Sequence, residues 1–188
     1  MLPSRDAAFT LVQEYTTNPG LIKHMQAVEI GMRAYAAKLN EDVEKWGLIG
    51  LLHDFDYERW PNPPDHPTQG SKTLRERGYP EDVIYAILSH ADYLPDYPRV
   101  RPVEKALYAC DELSGFICAC AKVQPAGINE LTAESVRKKM KKKDFAAKVN
   151  RDDIVRGAAD FGVDLDQHIQ FLIEALKPYG VELGITPV

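Results

Sequence analysis

Five histidines occur in the chain, and four of them, His24, His53, His66 and His90, fall with Asp54 and Asp111 into the order H…HD…H…H…D. Neutral imidazoles and carboxylates are good ligands for Fe²⁺, Mn²⁺ or Zn²⁺. His53 and Asp54 are adjacent. Neighbours inside a helix splay by about 100°, so this pair serves one site only where the helix stops. The carboxylate of Asp54 has two oxygens and can bridge two ions. Two divalent cations, offset by Asp54, Asp111 and a bridging hydroxide, leave a net charge of about +1. That residue of positive charge favours an anionic substrate such as a phosphate ester. Water on such ions ionises near neutral pH and becomes a nucleophile, and paired ions clamp both the attacking and the leaving oxygen.

The elements that must position these residues read as helices. Residues 5–17 predict a first helix, ended by Asn18-Pro19-Gly20. From Leu21 to Leu39, apolar side chains recur at Ile22, Met25, Val28, Met32, Tyr35 and Leu39, which marks one buried helical face and puts His24 near its start. A third helix runs from about Asp42 to His53. The stretch from Asp54 to Asp65 holds three prolines at 61, 63 and 64, so the helix cannot continue and a stiff loop follows the His-Asp pair. His66-Pro67 opens a fourth helix that ends near Gly78, and Pro80 starts a fifth that closes at His90. A second Pro-rich loop, Tyr93 to Pro102, precedes a long helix from Val103 to about Val123 that carries Asp111. Beyond it, Thr132 and Asn150 offer helix starts, and a last helix carries Leu165, Ile169, Leu172, Ile173 and Leu176. No strand pattern and no internal repeat emerge. The fold class is all-α, a globular helix bundle, expected as a single domain with a core over about 20–125 and a C-terminal helical extension over about 126–188.

Composition agrees. With 45% hydrophobic and 27% charged residues the chain is an ordinary globular protein rather than a disordered one. A formal net charge of −5 argues against a dedicated nucleic-acid binder. Cys110, Cys118 and Cys120 are too few and too clustered for a disulfide framework, which suits a reducing compartment. The amino-terminal residues lack a basic region followed by an apolar stretch, and no apolar run approaches the roughly 20 residues needed to span a bilayer. A cytoplasmic protein with no membrane partner is expected.

The order His24, His53-Asp54, His90, Asp111 on helices resembles the HD-domain superfamily of metal-dependent phosphohydrolases. The further histidine in His66-Pro67-Thr68-Gln69-Gly70 resembles the branch that holds two metals. The resemblance covers roughly residues 20–125. It implies that His24, His53, Asp54 and Asp111 hold one divalent metal (Fe, Mn, Co, Ni or Zn) and that Asp54, His66 and His90 hold the second. It also implies hydrolysis of a small phosphorylated substrate, a phosphomonoester or phosphodiester of nucleotide-like character, by a metal-bound hydroxide. A minority of related proteins use the same ligands for a di-iron oxygenase, and a metal-stapled nucleotide-sensing module is a third reading. The superfamily's general habit favours hydrolysis.

Around the ligands, Asp56 could orient a metal-bound water or act as a general acid or base, or be an exposed loop residue. Tyr57, Arg59 and Trp60 share its loop. Arg59 could pair with a phosphate, or these side chains could form a small core against the prolines. Ser114 and Gly115 share the helical face of Asp111 and are small, leaving room for substrate or for close helix packing. The run Arg137 to Lys143, which includes Lys142, could attract a phosphorylated substrate, or be a solvated helix face. Cys110 and Cys120 are expected in the core, and His168 on a helix surface.

Overall fold

In the computed structural model, which describes residues 2–187, all regular structure is α-helix or short 3-10 helix, with no strand among the described residues. The chain divides into two compact units, one ending at Leu107 and the other beginning at Tyr108.

The first unit holds α1 (Arg5–Tyr15), α2 (Pro19–Leu39), α3 (Val43–Leu52), α4 (Asp65–Glu76), α5 (Glu81–Leu88) and the first turns of α6 (Pro102–Lys122). Its centre is α3. Every residue from Trp46 to Leu52 is buried, so this helix is apolar all round and must be surrounded. It packs on α1, α2 and α5. The approach to α2 is close at Gly50, where a Cβ would stand 2.9 Å from the Cα of Glu29. The Asp42 side chain caps α3 by accepting from the Lys45 N–H, and the helix ends at His53.

Residues 53–59 then form consecutive turns. Two contacts tie them down. The Thr16 hydroxyl donates to the Phe55 carbonyl at 2.8 Å, and the Glu58 carboxylate accepts from the Thr17 and Asn18 N–H groups at 2.9 Å each, next to the start of α2. The loop is thereby folded back on the ends of α1 and α2. At the start of α4, His66 is extended (φ −81°, ψ 135°), and regular helix begins only after Pro67. Beyond α4, Gly78 sits at φ +76°, the left-handed conformation expected of a helix-ending glycine.

The second unit holds the remainder of α6, a 3-10 turn (Gly127–Glu130), α7 (Ala133–Met140), α8 (Arg151–Phe161), α9 (Leu165–Leu176), a second 3-10 turn (Lys177–Tyr179) and α10 (Gly180–Leu183). α7 and α8 pack on α9. The basic run is not one helix face. Arg137 to Lys139 lie in the last turn of α7, and Lys141 to Lys143 lie beyond its end. Crowded like charges disfavour extending that helix. Cys110 and Cys120 are buried, as expected, and all three cysteines are free thiols.

His168 departs from the sequence reading. It is buried, with its Nε2–H donating to the Ala109 carbonyl at 2.9 Å. One helical turn before Leu172, it belongs to the buried stripe of α9 and fills a polar place in it. Among the described residues no helix is long and apolar enough to cross a membrane.

Candidate metal centre

Within the first unit, five predicted ligands converge. His24, on the first turns of α2, reaches Asp54 Oδ2 with its Nε2 at 3.7 Å, and His53 Nε2 lies 3.5 Å from that same oxygen. The other oxygen faces elsewhere. Asp54 Oδ1 is 3.1 Å from His66 Nε2 and 3.5 Å from His90 Nε2. One ligand atom from each of His24, His53 and Asp54 lies within 4.8 Å of the others, and the same holds for Asp54, His66 and His90. The sixth residue, Asp111, stands on α6 beyond the boundary, in the second unit.

The tautomers follow from the partners. A carbonyl can only accept, so Nδ1 carries the proton in His53, which donates to Gly50 O at 2.8 Å, and in His90, which donates to Ile87 O at 2.5 Å. Each therefore presents an Nε2 lone pair towards Asp54. His66 differs. Its Nδ1–H donates to Asp56 Oδ1 at 2.7 Å, and its Nε2 lies 3.2 Å from His90 Nε2.

Charge is arranged accordingly. Burial alone would raise the Asp54 carboxyl, but the surrounding His53, His66 and His90 outweigh it and hold the group well below the usual carboxylate range. Burial opposes charge on His66 too. Its bonds to Asp54 and Asp56 prevail and push the imidazole up to about 9. Nitrogen and oxygen donors of this kind, grouped around one carboxylate, fit divalent transition-metal binding.

Asp56 is fully buried rather than an exposed loop residue. Besides the bond to His66, its Oδ2 accepts the Gly70 N–H at 2.8 Å. The turns after α3 fold the side chain inward, which the loop's polarity did not suggest. Of the loop side chains, Tyr57 stands edge-on to the His66 ring, 5.1 Å between centroids. Arg59 and Trp60 turn to α1: the guanidinium lies 3.8 Å over the Tyr15 ring and donates to the Glu14 carbonyl, and Trp60 packs 6.0 Å from Tyr15. Those two side chains form the small-core alternative. In the second unit, Ser114 is fully buried, and Lys142 is exposed past the end of α7.

Two residues escaped the sequence reading. Tyr93 donates its hydroxyl to the His66 carbonyl at 2.5 Å, and nothing in its Pro-rich loop signals that. Gly70 sits against Asp56, where a Cβ would come within 2.6 Å of the carboxylate.

A family model described as the HD domain matches residues 21–115, half of the chain and all six residues of the H…HD…H…H…D series. The chain belongs to the HD domain family. HD domains are in general metal-dependent phosphohydrolases that bind divalent ions. No solved structure matches the chain.

Proposed function

We propose that this HD domain is a phosphohydrolase that cleaves a small phosphomonoester or phosphodiester of nucleotide-like character at a centre for two divalent metals. His24, His53, Asp54 and Asp111 would hold one ion, and Asp54, His66 and His90 the other. The observation that carries the reading is the division of Asp54: Oδ2 faces His24 and His53, and Oδ1 faces His66 and His90. A carboxylate serving one ion has no need of histidines on both oxygens. Support for Asp111 comes from its place within the matched family segment.

Bound divalent ions supply Lewis acidity towards phosphoryl oxygens and water acidic enough to attack at neutral pH. The chain's own contribution is preorganisation. His53 and His90 arrive with their tautomers fixed by backbone carbonyls, so their Nε2 lone pairs need no rearrangement. Asp54 is ionised throughout the neutral range. Arg59, engaged with α1, is left out of the substrate contacts, and Lys142 is proposed only as an outlying attraction for anions. A cytoplasmic setting suits a chain whose three cysteines are all free thiols.

The test is anaerobic purification with elemental analysis, then a panel of phosphate esters and an oxygen electrode on one sample. Phosphate release without oxygen consumption is expected. Oxygen consumption without phosphate release would replace this reading by the oxygenase.

A further inference from the structure

The three histidines whose Nδ1 partners are defined are not held in the same way. His53 and His90 each follow the end of a helix, and each Nδ1–H reaches the carbonyl three residues back, Gly50 in α3 and Ile87 at the end of α5. Carbonyls in the last turn of a helix lack helical partners and are free to accept. His66 lies at the opposite kind of place, in extended backbone at the start of α4, where such carbonyls are not on offer. Its Nδ1–H must find a side chain.

We propose that Asp56 is a positioning residue that aims His66 Nε2 at the second metal, and that Gly70 is the residue that makes room for it. The proposal rests on the metal-centre reading above. Asp56 is wholly buried, and both of its oxygens are used, Oδ1 by His66 Nδ1–H at 2.7 Å and Oδ2 by Gly70 N–H at 2.8 Å. A buried carboxylate bonded by two N–H groups cannot swing away, so the ring it holds is fixed in tautomer and direction. The Tyr93 hydroxyl bond to the His66 carbonyl fixes the backbone beneath that ring. Gly70 admits no side chain: a Cβ would lie 2.6 Å from Asp56 Cγ and Oδ2. Asp56 thus acts on the centre through His66, and its complete burial keeps it from contact with substrate or solvent.

Asp56→Asn tests this. An amide has one acceptor oxygen and cannot serve both N–H donors. If its NH₂ faces His66, the ring must adopt the other tautomer, with the proton on Nε2 and no lone pair for a metal. Mn²⁺ binding is followed by calorimetry and by electron paramagnetic resonance. The wild type should bind two ions and show an exchange-coupled pair. Asp56→Asn should bind the first ion as the wild type does and the second about 10–100-fold more weakly, leaving the six-line spectrum of isolated Mn²⁺ at equal loading. Gly70→Ala keeps every ligand and Asp56 itself, and should give the same selective loss. It also decides the matter if Asp56→Asn does not fold. Two unchanged affinities in a folded variant would overturn the proposal alone. Equal weakening of both would also overturn it, by showing a merely structural role. A wild type that takes up no metal would overturn the metal-centre reading and this proposal with it.

Discussion

The raised His66 imidazole makes the metal-free protein depend on pH in a definite direction. In the folded chain His66 is buried between two carboxylates and titrates at about 9, against 6.5 for a free imidazole. Because the folded value is the higher one, the stabilisation is fully present below pH 6.5 and is lost as pH rises through about 9. The interval corresponds to about 3 kcal/mol. His66→Gln removes the titrating group while keeping a side chain of similar reach. Urea unfolding of chelator-treated wild type and variant, at intervals from about pH 6 to pH 10, should therefore give a stability gap that is widest at the acid end and narrows by about 3 kcal/mol. A gap that stays constant or widens with pH would refute the reasoning, because His66 would then not be charged between Asp54 and Asp56. The same proton stands in the way of a metal on His66 Nε2, so loading of that side below pH 9 should release a proton.

Two further outcomes concern packing. Gly50→Ala should destabilise the chain by about 1–3 kcal/mol in a denaturant titration, because its Cβ would meet the backbone of Glu29 at 2.9 Å and a helix backbone does not yield as a side chain does. His168→Phe should cost about 0.5–1.5 kcal/mol by removing the side-chain hydrogen bond to the Ala109 carbonyl, which keeps its helical donor within α6, and should leave the metal content unchanged on elemental analysis. A fall in metal content would show that His168 is more than a packing residue.

The ligand series was legible because histidines are few and four of the five sit at or near helix ends, His53 and His90 where helices stop and His24 and His66 near where they start. Asp42 and Asn150 cap the helices that they precede, whereas α3 ends at His53, ahead of the Pro-rich stretch, and Asp54 lies in the turns between. What was not legible depends on contacts between residues distant in the chain. Asp56 reads as a polar loop residue until the turns after α3 bury it against Gly70, fourteen residues on. His168 looks like a surface residue from its polar neighbours Asp166 and Gln167, and its burial becomes evident only from the stripe that it shares with Leu172. Arg59 could meet a phosphate by composition, yet the Tyr15 ring and the Glu14 carbonyl are nearer to hand. The short α10 carries too few apolar positions for periodicity to reveal it.

The claim on which most depends is that Asp54 serves two ions. Anomalous diffraction from crystals of the Mn²⁺-loaded protein tests it directly. The account predicts two peaks, with Asp54 Oδ2 at the ion shared with His24 and His53, and Oδ1 at the ion shared with His66 and His90. A single peak, or a folded and metal-replete protein in which His66 and His90 touch no ion, would contradict it.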